Sequence, residues 1–301
     1  MKWVKRGLVF APGADVPWAM RAAMTPCVAP AGDHARRVYF AGRDDRGRGQ
    51  IGVFDMDVKR LEVFNLRPEP VLGLGQIGTF DDNGVNAPWV VESNGKVLMY
   101  YTGWTLGVTV PFYLHVGLAA RDETTQRFAR VSIAPILDRT SIDPFLTAAP
   151  CVRLDEGKWR MWYVSGAEWR ERGGAVQHRY HIRYAQSRDG LTWERKGIVC
   201  IDFKSDDEYA IARPCVVKDV DRYRMWYCYR GDAYRIGYAE SADGIEWVRR
   251  DDLAGITASE HGWDSQMVAY PCVFDCDGAR YMLYNGDGYG RTGIGLAVQE
   301  P

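Results

Sequence analysis

The sequence predicts an all-β protein, a five-bladed β-propeller, because three kinds of strand recur five times in the same order. The first kind is led by proline, the second is aromatic, and the third contains a Gly-x-Ala-like step. The proline-led strands cover residues 25–28, 87–90, 149–152, 213–216 and 270–273, so that their prolines lie 57 to 64 residues apart. Repetition at a nearly fixed period determines the architecture before any other feature is considered.

The other strands of each copy complete a four-stranded unit. The aromatic strands cover residues 38–42, 99–103, 161–166, 225–228 and 282–286, and the third strands cover 51–53, 116–119, 182–185, 236–239 and 294–297. In two copies a fourth strand follows an Asp-Gly pair, Asp189-Gly190 and Asp243-Gly244, and glycine there allows the positive φ of a tight hairpin. Four antiparallel strands per copy describe a propeller blade with long loops, whereas each repeat of a β-helix is much shorter.

The first residues of the chain are predicted to complete the last blade. Residues 3–7 resemble the fourth strands at 193–197 and 247–250, while the fifth copy has no such strand of its own. Pairing of residues 3–7 with the last copy would close the ring and remove an open sheet edge. We therefore expect a single domain over residues 1–301.

Composition narrows the functional classes. The 301 residues carry a formal net charge of −1 and no basic run, so we expect no nucleic-acid partner. No apolar stretch has membrane-spanning length, and the charged first ten residues do not resemble a signal peptide.

The seven cysteines include no Cys-x-x-Cys pair, and four of them directly follow the repeated proline. We interpret these as structural thiols in a reducing cytoplasm.

A ligand site is expected at one end of the propeller axis, where the inner strands begin and the loops after the aromatic strands return. Acids lie seven residues before four of the prolines, at Asp81, Asp143, Asp207 and Asp264, with Asp82 and Glu208 beside them. The same segments hold Arg21, Tyr209, Arg213 and Tyr270; the facing loops hold Arg43, Trp104, Glu168, Trp169 and Asp287; and the third strands begin near His181 and Arg235. The loop tryptophans Trp104, Trp169 and Trp263 are candidates for stacking on a ligand. The repeated aspartates could equally be structural turn caps.

The repeated Pro-x-Val, Met-Trp-Tyr and Ile-Gly-Tyr-Ala-x-Ser-x-Asp-Gly-x-x-Trp motifs resemble those of the five-bladed β-propeller glycosidase superfamily, which includes glycoside hydrolase families 43, 32, 68 and 130. The chain is similar in particular to uncharacterised glycosidase-like proteins of bacterial polysaccharide gene clusters. The resemblance covers residues 1–301 and is carried by scaffold motifs, so it predicts the fold more directly than the reaction.

The resemblance implies carboxylates at the starts of inner strands, one acting as base or nucleophile, one as general acid and a third tuning the acid. Two such carboxyls must flank the glycosidic bond. Asp143 resembles the tuning residue, and Asp207 or Glu208 resembles the general acid. The first copy has Ala19 where the superfamily places a catalytic acid. Either Asp15, the nearest acid, or the pair Asp81 and Asp82 one blade on would supply the base, or the protein is not a plain hydrolase; we assign the base to Asp81 or Asp82. Asp264 and Arg213 would hold sugar hydroxyls or an anionic substituent.

Three functions follow from these observations. The first is cleavage or transfer of a glycosyl group. The second is a phosphorylase or transferase acting on a phosphorylated or nucleotide sugar, with Arg21, Arg43, Arg213, Arg235 and His181 binding the phosphate; a biosynthetic role in the cytoplasm would fit it. The third is a propeller that binds a saccharide or a protein without catalysis.

No cofactor is predicted. Five histidines without metal-ligand spacing make a transition-metal site improbable, although a ring of carboxylates could hold Ca²⁺. The sequence does not predict the oligomeric state.

Overall fold

A computed structural model describes residues 1–32 and 34–300 as five four-stranded antiparallel units. The strands of the first unit are β2 (Ala22–Pro30), β3 (Ala35–Arg43), β4 (Gly49–Asp57) and β5 (Glu62–Phe64); of the second, β6 (Gly84–Ser93), β7 (Lys96–Leu106), β8 (Phe112–Arg121) and β9 (Phe128–Arg130); of the third, β10 (Thr147–Asp155), β11 (Lys158–Arg172), β12 (Ala175–Ser187) and β13 (Glu194–Ile201); of the fourth, β14 (Ala210–Lys218), β15 (Tyr223–Arg230), β16 (Tyr234–Ser241) and β17 (Val248–Arg249); and of the fifth, β18 (Ala269–Cys276), β19 (Ala279–Asn285), β20 (Ile294–Gln299) and β1 (Trp3–Phe10). We call these units blades 1 to 5.

The five proline-led strands form the inner ring. Each inner strand contacts the next in the order β2, β6, β10, β14 and β18, and β18 contacts β2. Short parallel bridges join neighbouring blades where Gly49 meets Gly84 and where Tyr180 meets Ala210. This closed ring is the all-β propeller that the repeats predict, and its units are consistent with five blades.

Strand β1 closes blade 5, as predicted. It pairs antiparallel with β20, so that Trp3 lies opposite Gln299 and Lys5 opposite Ala297. The Trp3 ring is buried against Trp226 of blade 4, with ring centroids 5.9 Å apart in an edge-to-face arrangement. The first residues of the chain therefore join the fifth blade and also pack against the fourth.

Small side chains at the axis let the inner strands approach one another. Cys27, Cys151, Cys215 and Cys272 follow the repeated proline in four blades, and Trp89 occupies the same position in blade 2. All seven cysteines are buried free thiols. The Cys151 sulfur accepts a hydrogen bond from the backbone of the next inner strand, as do those of Cys27 and Cys215. The thiols that follow the proline therefore pack between blades.

The remaining regular structure is short. Single helical turns occur at Pro17–Ala19, Asp251–Leu253 and Asp287–Gly290. Among the described residues, no helix has the length and apolar character needed to cross a membrane.

Candidate functional site

A cavity of about 510 Å³ lies at the end of the axis where the inner strands begin. Its floor contains the residue before the repeated proline from every blade, and we call these five residues the floor ring: Thr25, Ala87, Ala149, Arg213 and Tyr270. Because each blade supplies one member, the floor exists only in the assembled ring.

The backbone of the floor ring is strained. All five residues have φ between 43° and 55°, in the left-handed region, although none is glycine. The pairing of each inner strand with its neighbour shifts register at this point, for example between Ala148 and Cys151. A residue before proline and with a β-carbon rarely adopts this conformation, and such strain is typical of functional sites. Each floor-ring residue thus lies at a bulge in its strand and lines the cavity.

Arg213 extends from blade 4 across the axis. It is 1% exposed, and its Nη2 donates to the carbonyl oxygens of Pro26 and Pro88 at 2.7 and 3.0 Å. Its guanidinium also lies 5.4 Å from the centre of the Trp89 ring. Arg213 thus joins blade 4 to blades 1 and 2 at the floor of the cavity.

The cavity wall is rich in arginine. Together with Arg213, the lining includes Arg21, Arg43, Arg230 and Arg291. Within residues 1–32 and 34–300, none of these five forms an ion pair with an acid, and no Asp or Glu lines the cavity. Burial lowers the pKa of Arg43, whose guanidinium packs 5.0 Å from the Trp104 ring. Positive charge therefore faces the cavity without a counter-charge from the described chain.

Aromatic rings form another part of the wall. His178 stacks on Tyr180 with ring centroids 4.6 Å apart, and the hydroxyl of Tyr180 lies 2.8 Å from that of Tyr234. Burial, together with the charge of Arg230, lowers the pKa of His178 to about 4, so this ring is neutral at pH 7. The Arg230 guanidinium lies within 5.7 Å of the rings of Tyr234 and Tyr289, which favours the cation through its π interactions.

Four of the residues predicted from the sequence line this cavity, namely Arg21, Arg43, Arg213 and Tyr270. Three others contact residues that line it. Trp104 packs on Arg43, and Tyr209 lies 5.2 Å from Arg230. Trp169 packs edge-on against the cavity residue Phe112.

The predicted catalytic acids are placed differently from the expectation that they share one cup. Asp81 is fully buried, and accepts hydrogen bonds from the Tyr101 hydroxyl at 2.9 Å and from Arg130 at 2.7 Å. Asp264 in blade 5 binds Tyr284 at 3.0 Å and Lys5 at 2.6 Å. In both blades the tyrosine lies on the second strand and the base on the fourth.

Blades 3 and 4 repeat this arrangement with small changes. The Asp143 carboxylate accepts from Tyr163 and Ser165 and pairs with Arg183 and Arg195. Glu208 takes the place of the aspartate in blade 4 and pairs with Arg249 at 2.8 Å, which also binds Asp251; the Tyr227 hydroxyl donates to Asp251. We call each group an acid–tyrosine–base cluster.

The tyrosines of three clusters are held in their protonated form. Burial, and then the neighbouring carboxylate, raises the pKa of Tyr101, Tyr163 and Tyr284. These phenols therefore stay protonated and donate to the acids. Each carboxylate is satisfied within its own blade, and none of the four lines the described part of the cavity.

Two further acids lie outside these clusters. Asp207 has a side chain that is 84% exposed and pairs with Arg172 at 3.2 Å. Asp82 accepts a hydrogen bond from the backbone of Gly78.

The remaining predicted binding residues also contact other parts of the protein. Glu168 pairs with Arg179 on the same hairpin; His181 binds Asp202; Arg235 donates to backbone carbonyls of Tyr234 and Gln266; Trp263 packs on Tyr284; and Asp287 accepts from the backbone of Gln266 and Met267. None of these five lines the cavity, counting the residues that the structure describes.

Several cavity residues were not selected from the sequence, namely Phe112, His178, Tyr180, Tyr234 and Arg291. Arg230 and Tyr289 also line the cavity, and both follow aromatic strands at the face where the sequence predicts a ligand site. In the structure Arg230 is the last residue of β15. His178 and Tyr180 lie on the long hairpin formed by β11 and β12, whose extension into the wall has no counterpart in the repeat.

Metal ligands do not gather in the described part of the chain. Within residues 1–32 and 34–300, no three His, Cys, Asp or Glu side chains are arranged to hold a metal ion. The described residues therefore do not form the carboxylate ring that was considered for Ca²⁺.

The fold is an all-β propeller similar to the folds of solved glycoside hydrolases. The structure superposes on a solved glycoside hydrolase with a TM-score of 0.78 at 19% identity, covering 99% of this chain and 91% of the other. A thermostable family-43 glycoside hydrolase gives a TM-score of 0.70 at 17% identity, with 93% of each chain covered. A structure from the GH130 family of mannoside phosphorylases gives 0.70 at 13% identity, covering 99% of this chain and 94% of the other. At these identities the likeness shows the fold.

The sequence itself belongs to the family of the uncharacterised proteins Rv1502 and MT1551 of Mycobacterium tuberculosis, from strains ATCC 25618 / H37Rv and CDC 1551 / Oshkosh. Each is 44% identical to this chain over 301 residues, and each match covers the full length of this chain and of the relative. No protein-family model matches the chain.

Proposed function

We propose that this protein binds an anionic carbohydrate in the axial cavity. The observation that carries the proposal is the set of five cavity arginines, none of which has an acidic partner among the described residues. Elsewhere in the molecule arginines such as Arg130 and Arg195 pair with buried acids. Guanidinium groups without a counter-charge are suited to phosphate or carboxylate groups of a ligand.

The cavity also suits the neutral part of a sugar. Its volume of about 510 Å³ falls within the ordinary range for small-molecule sites. The rings of His178, Tyr180 and Tyr234 supply flat apolar surface together with polar atoms. The likeness of the fold to glycoside hydrolases supports carbohydrate as the ligand class, by analogy.

Recognition is favoured over hydrolysis. Glycoside hydrolysis uses two carboxyl groups on either side of the scissile bond, and the resemblance would place them at the starts of inner strands. No Asp or Glu lines the described part of the cavity, and its floor ring consists of Thr25, Ala87, Ala149, Arg213 and Tyr270. Asp81, Asp143, Glu208 and Asp264 are held in acid–tyrosine–base clusters, so the proposal gives them a structural role.

Glycosyl transfer or phosphorolysis is the second candidate. It is favoured by a separate open depression beside the cavity, lined by Asp207, Tyr209 and Asp232. Tyr209 contacts Arg230 of the cavity wall, so a ligand reaching over Tyr209 would meet the exposed carboxylates. Phosphate-dependent turnover of a glycoside that is lost in Asp207→Asn would favour this candidate.

The proposal is tested by calorimetric titration with glucose, glucuronate, glucose 6-phosphate and UDP-glucose. We expect at least one anionic sugar to bind about tenfold or more tightly than glucose, since a hydrogen bond to a charged group contributes about 1.5–3 kcal/mol. The double variant Arg21→Gln, Arg43→Gln should bind that anionic sugar about tenfold more weakly than the wild type does. Arg188→Gln, at an exposed position outside the cavity, is the matched control and should bind like the wild type. Equal binding of glucose and of the anionic sugars would contradict the proposal.

A further inference from the structure

Arg213 is buried with part of its hydrogen-bonding capacity unused. Its Nη2 donates to backbone carbonyls of blades 1 and 2, but Nε and Nη1 have no hydrogen-bond partner among the described residues. The side chain is 1% exposed. Buried donors without acceptors are unfavourable, and so is a buried charge without a counter-ion.

The position of these donors points to a ligand. Arg213 is a member of the floor ring and lines the cavity. Its other floor neighbours offer no negative charge, since they are Thr25, Ala87, Ala149 and Tyr270. Burial raises the pKa of Tyr270 well above its ordinary value, so its phenol is neutral.

We infer that Arg213 receives the acidic group of the ligand at the floor of the cavity and determines specificity for it. This inference rests on the proposed function and adds an orientation to it: the acidic group points toward the axis, and the rest of the sugar lies toward the aromatic wall and the mouth. A phosphate monoester and a carboxylate share the necessary chemistry, since both accept several hydrogen bonds from a guanidinium.

The backbone of Arg213 supports a role in positioning. Its φ of 52° is unfavourable for a residue with a long side chain before proline. The carbonyl oxygens of Pro26 and Pro88 then fix Nη2 from the opposite side of the axis. The guanidinium is therefore held in place before a ligand arrives, which reduces the entropy lost on binding.

The test compares Arg213→Gln with Arg160→Gln. Arg160 is the matched control, because it also joins two blades by donating to a carbonyl, that of Asp243, and lies over an aromatic ring, that of Tyr223, but outside the cavity. The probes are glucose 6-phosphate and glucuronate, titrated by calorimetry against each folded protein. We expect Arg213→Gln to weaken binding of the preferred probe by about tenfold to a hundredfold and Arg160→Gln to bind like the wild type.

The two proposals fail differently. If the wild type binds neither probe, nor any other anionic sugar, the proposed function itself fails. If the wild type binds and folded Arg213→Gln binds equally well, only the role of Arg213 is overturned.

A crystal structure of the wild-type complex covers the case in which Arg213→Gln does not fold. An acidic group within hydrogen-bond distance of Nε or Nη1 of Arg213 supports the inference, and an acidic group held by Arg21 or Arg291 at the mouth overturns it. Comparison of the two probes distinguishes a phosphate from a carboxylate ligand.

Discussion

At the level of single residues, the acids before the inner strands are held by hydrogen bonds and ion pairs within their own blades. In blades 2, 3 and 5 a buried aspartate accepts a hydrogen bond from a tyrosine of the second strand and pairs with a base of the fourth strand. The contacts join the loop that enters the blade to the middle and the outer edge of the same blade. Each acid–tyrosine–base cluster therefore stabilises the loop that leads to the cavity.

Asp143→Asn tests this structural role. The substitution leaves Arg183 and Arg195 beside a neutral amide in a site where the aspartate is fully buried. Removal of one partner from a buried ion pair costs about 3–5 kcal/mol, and we expect a loss of this size in urea unfolding. Asp207→Asn, at an exposed ion pair, should cost less than about 1 kcal/mol. Wild-type stability of Asp143→Asn would contradict the structural role.

The first blade shows which sequence signal identifies the cluster. It has Ala19 where the other copies have an acid, and Phe40 where they have Tyr101, Tyr163, Tyr227 or Tyr284. Trp18 packs on Phe40 there, with ring centroids 5.3 Å apart. The acid and the tyrosine hydroxyl are thus lost together, and an apolar contact takes their place. Comparison of the copies with one another could have linked the acid to the tyrosine, whereas each copy taken alone suggested a catalytic acid.

At the level of strands, the same bulge occurs at the start of every inner strand. The proline-led pattern predicted the five inner strands, and all five are present. It did not predict the left-handed backbone of the residue before the proline, because that conformation is usually associated with glycine and the repeat has Thr, Ala, Arg and Tyr there. The identity of the cavity floor could therefore not be obtained from residue types alone.

Ala149→Gly is expected to relieve this strain. A left-handed conformation costs a residue with a β-carbon about 1–2 kcal/mol, and the added freedom of glycine in the unfolded chain offsets about 0.4–1 kcal/mol of the gain. The variant should be more stable than the wild type by up to about 1.6 kcal/mol in urea unfolding. The same change at Ala148, which lies in the strand without a positive φ, should instead destabilise the protein by about 0.5–1 kcal/mol. Destabilisation by Ala149→Gly would show that the bulge is not strained.

At the level of the whole molecule, the ring depends on contacts between distant parts of the chain. Strand β1 pairs with β20, and Lys5 binds Asp264 in the acid–tyrosine–base cluster of blade 5. The sequence predicted this closure because residues 3–7 resemble the fourth strands of other blades. The repeat therefore predicted the closure correctly. It did not predict the long hairpin of blade 3, because the residues that extend this hairpin are not part of the repeat.

Trp3→Ala is expected to weaken the closure. Truncation of a large buried aromatic side chain costs about 3–5 kcal/mol, and Trp3 is 5% exposed against Trp226. Leu8→Ala on the same strand is the control, since Leu8 is 42% exposed and a surface substitution changes stability by about 0.5 kcal/mol or less. Equal unfolding midpoints for the two variants would count against ring closure as a main source of stability.

The pairing of β1 with β20 has a consequence for synthesis of the protein. Strand β1 is synthesised before β20, so its pairing edge stays free until β20 has been translated. A chain whose β20 has just been made could then pair it with β1 of a second chain instead of with its own β1. The seam that completes the folded ring is therefore the place where exchange of strands between molecules would begin.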